Sequence, residues 1–99
     1  MVLLASTRST SFVSLTVNNL NNYKCVVVAA CAGSDKRIIV TTIVPVDYFK
    51  SSNSTFTIDA VFAGSPSTYE TQAYYLNDTQ VYLKSKNSTY CIAALFGIT

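Results

Sequence analysis

Cys25-Val26-Val27-Val28-Ala29-Ala30-Cys31-Ala32 is the longest apolar run in the chain, and its eight residues decide the fold. A bilayer-spanning helix needs about 20 apolar residues, so this run is far too short for one. Three consecutive valines favour extended backbone, because β-branched side chains pack well on a pleated surface. The segment Tyr23 to Ala30 therefore reads as a strand, apolar on both faces after Lys24, as expected of a central strand covered on both sides. Ala32-Gly33-Ser34-Asp35 supplies the turn that ends it.

Working outward, the same grammar repeats. Upstream, Val13, Leu15 and Val17 alternate with Ser14 and Thr16 inside Ser11–Val17, which places aliphatics on one face and hydroxyls on the other. Val2–Ala5 reads as a short edge strand, and Asn18-Asn19-Leu20-Asn21-Asn22 as a loop. Downstream, Arg37–Val44 puts Ile38, Val40 and Val44 on one face and Ile39 and Ile43 on the other, until Pro45 ends the ladder. Val46-Asp47-Tyr48-Phe49 reads as a turn or one helical turn that tucks an aromatic back onto the sheet.

Phe56, Ile58, Ala60 and Phe62 alternate with Thr57, Asp59 and Val61 in a fifth strand, followed by a turn at Gly64-Ser65-Pro66-Ser67. Tyr69–Leu76 and Thr79–Lys84 flank Asn77-Asp78 as a hairpin. Tyr90–Ile98 is the last strand. About eight short antiparallel strands with frequent turns predict an all-β, single-domain, jelly-roll-like β-sandwich over residues 1–99.

Composition narrows the function. Charged residues make up 12% of the chain, about half the usual ~25%, so the polar surface is left to 12 serines, 12 threonines and 7 asparagines. A net charge of +2 repels other copies only weakly, which predicts that some apolar or tyrosine-rich surface is covered by other subunits; the competing reading is a monomer with a large core. No signal peptide and no membrane insertion are expected, since Met1–Ala5 lacks both the basic start and the length of a leader.

Three cysteines cannot all pair within one chain. Cys25 and Cys91 sit inside apolar runs and read as buried free thiols, with a Cys25–Cys91 bridge as the alternative. Sequons at Asn53, Asn77 and Asn87 exceed the roughly two that composition yields by chance too slightly to argue for secretion.

The chain has no histidine, which excludes Ser-His-Asp and Cys-His nucleophiles and histidine-bearing zinc sites. The spacing Cys25-x5-Cys31 does not suit a metal knuckle, and no metal or cofactor is expected. Asp35, Asp47, Asp59, Glu70 and Asp78 are isolated along the chain, and nothing marks a pair of them for glycoside hydrolysis. The chain reads as no enzyme.

Tyr82, Lys84 and Lys86 share one strand face, an arrangement that single-strand nucleic-acid binders use. An edge strand guarded by lysines explains them better. Tyr69, Tyr74, Tyr75 and Tyr82 crowd the hairpin on both faces, and Tyr74, Tyr75 and Tyr82 are the expected contact residues, set against their reading as ordinary cross-strand partners.

Several segments together carry a resemblance. They are Leu3-Leu4-Ala5-Ser6, Tyr23-Lys24-Cys25-Val26-Val27-Val28, Thr42-Ile43-Val44-Pro45-Val46-Asp47-Tyr48-Phe49, Tyr74-Tyr75-Leu76-Asn77-Asp78-Thr79 and Leu95-Phe96-Gly97-Ile98. In this order they resemble the small C-terminal tip domains of tailed-phage tail-fibre and baseplate proteins, over nearly the whole chain.

The resemblance implies a β-sandwich, commonly trimeric, that holds fibre chains together or acts in receptor binding at the host surface. It implies a structural viral protein of a bacteriophage, located in the virion and assembled in the host cytoplasm. The implied partners are further copies of the chain, other virion proteins, and a host-surface glycan or protein. Family members follow a long fibrous stalk that this chain lacks, so it is either a separate small virion protein or a fragment. The competing readings are a capsid-decorating or fibre-cementing protein and a single-strand nucleic-acid binding module.

Overall fold

The computed structural model describes residues 1–63 and 68–99; the turn expected at Gly64-Ser65-Pro66-Ser67 lies outside the described residues. Eight strands form: β1 (Val2–Thr7), β2 (Val13–Thr16), β3 (Cys25–Ala32), β4 (Ile38–Pro45), β5 (Ile58–Ala63), β6 (Thr68–Asn77), β7 (Gln80–Ser85) and β8 (Cys91–Ile98). They build two four-stranded antiparallel sheets, ordered β1-β8-β3-β4 and β2-β7-β6-β5. The expected all-β sandwich is what the chain adopts. The β1–β8 and β2–β7 pairs join distant parts of the chain, whereas β3–β4, β5–β6 and β6–β7 pair strands adjacent in sequence.

Period-two alternation explains the core. Val26, Val28, Ala93 and Leu95 face Ala60, Ala73, Val81 and Leu83 across the sandwich. Two short helical turns add the largest fully buried side chains. α1 (Val46–Phe49) starts directly after Pro45 and buries Phe49, as the sequence reading allowed. The asparagine-rich segment, expected to be a plain loop, holds a 3-10 turn over Leu20–Asn22 that buries Leu20, with the Asn19 side chain accepting from the Asn21 N–H.

The buried hydroxyls all have partners, as buried polar groups must. Thr71 Oγ1 donates to the Ala29 carbonyl of the opposite sheet at 2.8 Å. Ser85 Oγ donates to the Cys91 carbonyl at 2.7 Å. Ser52 Oγ donates to the Phe49 carbonyl and accepts the Tyr75 N–H, pinning α1 to β6.

Besides β7, which lies between β2 and β6 and is not the lysine-guarded edge expected from Tyr82, Lys84 and Lys86, four local expectations shift in three dimensions. A bulge skips Ile39, so Val40 faces Ala30 while Ile38 falls opposite Cys31, and Ile38 joins Ile43 on the outer side instead of Val40 on the inner one. β5 begins at Ile58: Ile58 and Ala60 are buried as expected, but Phe56 and Phe62 stay exposed. The hairpin turn is Asp78-Thr79, one residue beyond Asn77-Asp78, because Asn77 pairs with Gln80.

The fourth shift concerns the cysteines. All three are free: Cys31 and Cys91 are buried, and Cys25 is partly exposed, where a buried thiol was expected. Cys25 lies opposite Ile98 and Cys91 opposite Ala32, at the two ends of one ladder. Seven residues of strand, roughly 23 Å, separate those ends, which excludes the Cys25–Cys91 bridge.

The sequons have a structural explanation. Asn53, Asn77 and Asn87 each head an Asx turn whose side-chain oxygen accepts the N–H of the threonine two residues on, at 2.9, 3.0 and 2.8 Å. Turn chemistry accounts for the asparagine at these three positions.

Candidate functional site

The two outer faces of the sandwich differ in chemistry. On the β2-β7-β6-β5 sheet, Tyr74 lies directly opposite Tyr82, and Ser14 faces Tyr82 from the other side. The tyrosine rings stack with centroids 4.7 Å apart and planes 17° apart. Phe12 meets the Tyr74 ring edge-on at 4.9 Å, and the Lys84 ammonium stands over the Phe12 ring at 5.4 Å. Burial, and then the neighbouring Tyr82 phenol, raise the Tyr74 pKa above its ordinary value. A stacked pair keeps two ring faces for itself, so this cluster offers a ligand its outer faces and edges. The same face carries Asp59, Glu70, Gln72 and Gln80, and Glu70, Gln72, Lys84 and Lys86 line a shallow polar groove.

Tyr75, the third expected contact residue, points the other way. Its ring packs edge-on against Phe49 with centroids 6.4 Å apart, and its hydroxyl donates to Asp78 Oδ1 at 2.6 Å. The fold thus brings Tyr74 and Tyr82 together and separates Tyr75 from them. Asp78, read from the sequence only as a turn former, is the hub of a small network. Its carboxylate also accepts from Asn21 Nδ2 at 2.9 Å and pairs with Lys50 Nζ at 3.3 Å, while Lys50 donates in addition to the Asn21 side chain. These contacts tie the hairpin tip to both helical turns.

The Tyr75 hydroxyl first, then Lys50 and Asn21, hold the Asp78 pKa below its ordinary value of 3.8. A depressed folded-state pKa stabilises fully above the unfolded value and is lost as pH falls through the folded one. Asp78→Asn is therefore expected to melt below the wild type at neutral pH, with the gap closing as pH drops below 3.8. Thermal melts between pH 7 and pH 2 check this, and parallel curves for the two proteins would refute it.

The outer face of the β1-β8-β3-β4 sheet is largely apolar, with Ser6 and Thr41 as its hydroxyl-bearing strand residues. Register places Leu3, Phe96, Val27 and Ile43 in one row, Ser6, Ala94, Ala29 and Thr41 in the next, and Ile92, Cys31 and Ile38 in a third. No strand residue of this face is charged. Small side chains form the floor: Ala29, Ala94 and Cys31 are buried among their own neighbours, in a second apolar cluster with Ile92 and Phe96. Leu3 and Ile43 stand at the two edges, 55% and 58% exposed.

This face was half legible in the sequence. β3 and β8 are apolar on both sides, and β3 was expected to be covered on both. β3 is buried on both sides as expected, by the second sheet on one and by its in-sheet neighbours on the other, where no second layer packs.

Among the described residues no cluster of His, Cys, Asp and Glu is fit to hold a metal ion, and no helix is long and apolar enough to cross a membrane. Of the acids, Asp59 accepts hydrogen bonds from Thr57 and Gln72, and Asp35 pairs with Arg37 at 3.9 Å. No protein-family model matches the chain, and no curated protein or solved structure matches it.

Proposed function

We propose that the chain is a non-enzymatic component of a phage particle, a tail-fibre or baseplate tip domain that holds subunits together and attaches to a host surface. The observation that carries this reading is the division of labour between the two outer faces. One is uncharged and apolar, suited to protein contact. The other presents Tyr74 and Tyr82 among hydrogen-bonding side chains, suited to a glycan or a polar protein surface. The likeness of segment order to phage tip domains supports the same reading. Attachment would work by avidity: weak sites repeated around a symmetric oligomer, a trimer by that likeness, add through effective concentration.

Fluorescently labelled protein, mixed with a panel of bacterial cells and with separated virion proteins, tests the proposal. Binding is expected, and the Tyr74→Ala/Tyr82→Ala double variant should weaken cell binding about tenfold or more while keeping a β-type circular dichroism spectrum. A protein that binds neither cells nor virion parts would overturn the reading. The apolar face favours one further reading, a capsid-decorating or fibre-cementing protein, which predicts binding to virion protein alone.

A further inference from the structure

We infer that the outer face of the β1-β8-β3-β4 sheet is where copies of this chain meet, each covering another's apolar floor. The inference rests on the oligomeric part of the proposed function, names the surface, and takes the contact as a two-fold pair of copies where the likeness implies a trimer.

Charge argues for a second copy as the occupant. A two-fold contact brings a surface against itself, so any charge near the axis meets its like. A face destined for its own copy is best left neutral, and this one has no charged strand residue, whereas the opposite outer face carries Asp59, Glu70 and Lys84. Lys36, exposed in the β3–β4 turn, is the one charged side chain lining the depression over Cys31 and Ala94. The net charge of +2 adds little long-range repulsion between copies.

Area and shape agree. Four strands about 4.8 Å apart, three of eight residues and β1 of six, present a face of roughly 500 Å² per copy, so two opposed copies bury about 1,000 Å², the lower bound for a specific interface. The patch does not stop at the sheet face. β1 is an edge strand of sequence Val-Leu-Leu-Ala-Ser-Thr, with neither charge nor proline and only a bulge between Leu3 and Ala5 to discourage pairing. Leu3 belongs to both face and edge, so the edge extends the contact beyond the threshold. Leu3 and Ile43 project at the two ends of one row, beside the low row of Ala94 and Ala29, which gives each copy knobs and a floor to receive them.

Light scattering of the purified chain at about 100 µM tests the inference, together with labelling of the partly exposed thiol of Cys25, which shares the outer side of β3 with Val27. The wild type is expected to be oligomeric, with Cys25 slow to react with a maleimide. Leu3→Lys/Ile43→Lys places like charges in the contact and should raise the dissociation constant by roughly 100-fold or more, with Cys25 becoming reactive. Both positions are exposed, so the fold should survive, and circular dichroism checks this. Glu70→Lys on the other outer face should leave the mass unchanged; if that variant alone dissociates, the contact lies on the other sheet.

A wild type that is monomeric, or an oligomer that withstands the double substitution with Cys25 freely labelled, would overturn the inference. The two proposals fail separately. A monomer that still binds cells removes this interface and leaves attachment standing; an oligomer that binds nothing does the reverse.

Discussion

Phe49→Ala is expected to lower the unfolding free energy by about 3–5 kcal/mol, the usual cost of emptying a large aromatic site in a core. A domain of this size holds only about 5–15 kcal/mol in total, so much of its margin would go. Phe49 is fully buried and sits on a helix of four residues, too short to persist without its packing. Its ring meets Tyr75 edge-on, and its carbonyl accepts from Ser52, whose oxygen takes the Tyr75 N–H. Losing the ring therefore loosens α1, the Ser52 bridge and the hairpin together. In thermal melts the midpoint should fall by roughly 15 °C or more. Tyr48→Ala, one residue earlier and largely exposed, should change it by only a few degrees. Similar melts for both variants would show that α1 does not anchor the end of the sandwich.

The second large effect is expected at Gly33. A methyl group there would lie 2.4 Å from the Thr89 carbonyl oxygen and 2.9 Å from Arg8 Nη1. The first obstacle is backbone, so a rotamer change cannot relieve it. Arg8 donates to the Gly33 carbonyl at 2.6 Å and to the Ser88 carbonyl at 3.2 Å, which makes Gly33 the point where the end of β1, the β3–β4 turn and the β7–β8 turn converge. Gly33→Ala should cost about 1–3 kcal/mol through this overpacking. Chemical denaturation would show it as a lower midpoint with unchanged slope, and Ser34→Ala next door as almost no change. Gly97→Ala is the informative contrast: the nearest atoms its methyl would meet belong to the Tyr23 ring, a side chain that can swing aside at the expense of its contact with Asn18. A Gly33 variant as stable as wild type would mean the Thr89 segment yields freely.

The strands were legible because their signal is local. Val13 and Leu15 alternate with hydroxyls, the β3 run is long and β-branched, Pro45 is the last paired residue of β4 where the ladder was expected to end at Val44, and the asparagines from Asn18 follow β2 closely. The placement of Tyr74 opposite Tyr75 in orientation follows from parity alone. The role of Asp78 was not legible, since its partners Tyr75, Lys50 and Asn21 come from three elements and meet only after the hairpin folds down on the helical turns.

The sequence by itself determined where strands run, where they turn and which side chains share a side, because a pleat of period two converts order along the chain directly into face. Only the tertiary structure decided what each face meets. One skipped residue at Ile39 moved Ile38 outward, and the second sheet packed on one side of β3, while the other side was left to be buried by its in-sheet neighbours alone. Pairing partners and sheet order are long-range choices, settled by the burial of all eight strands at once. Alternation within one strand carries no record of that choice.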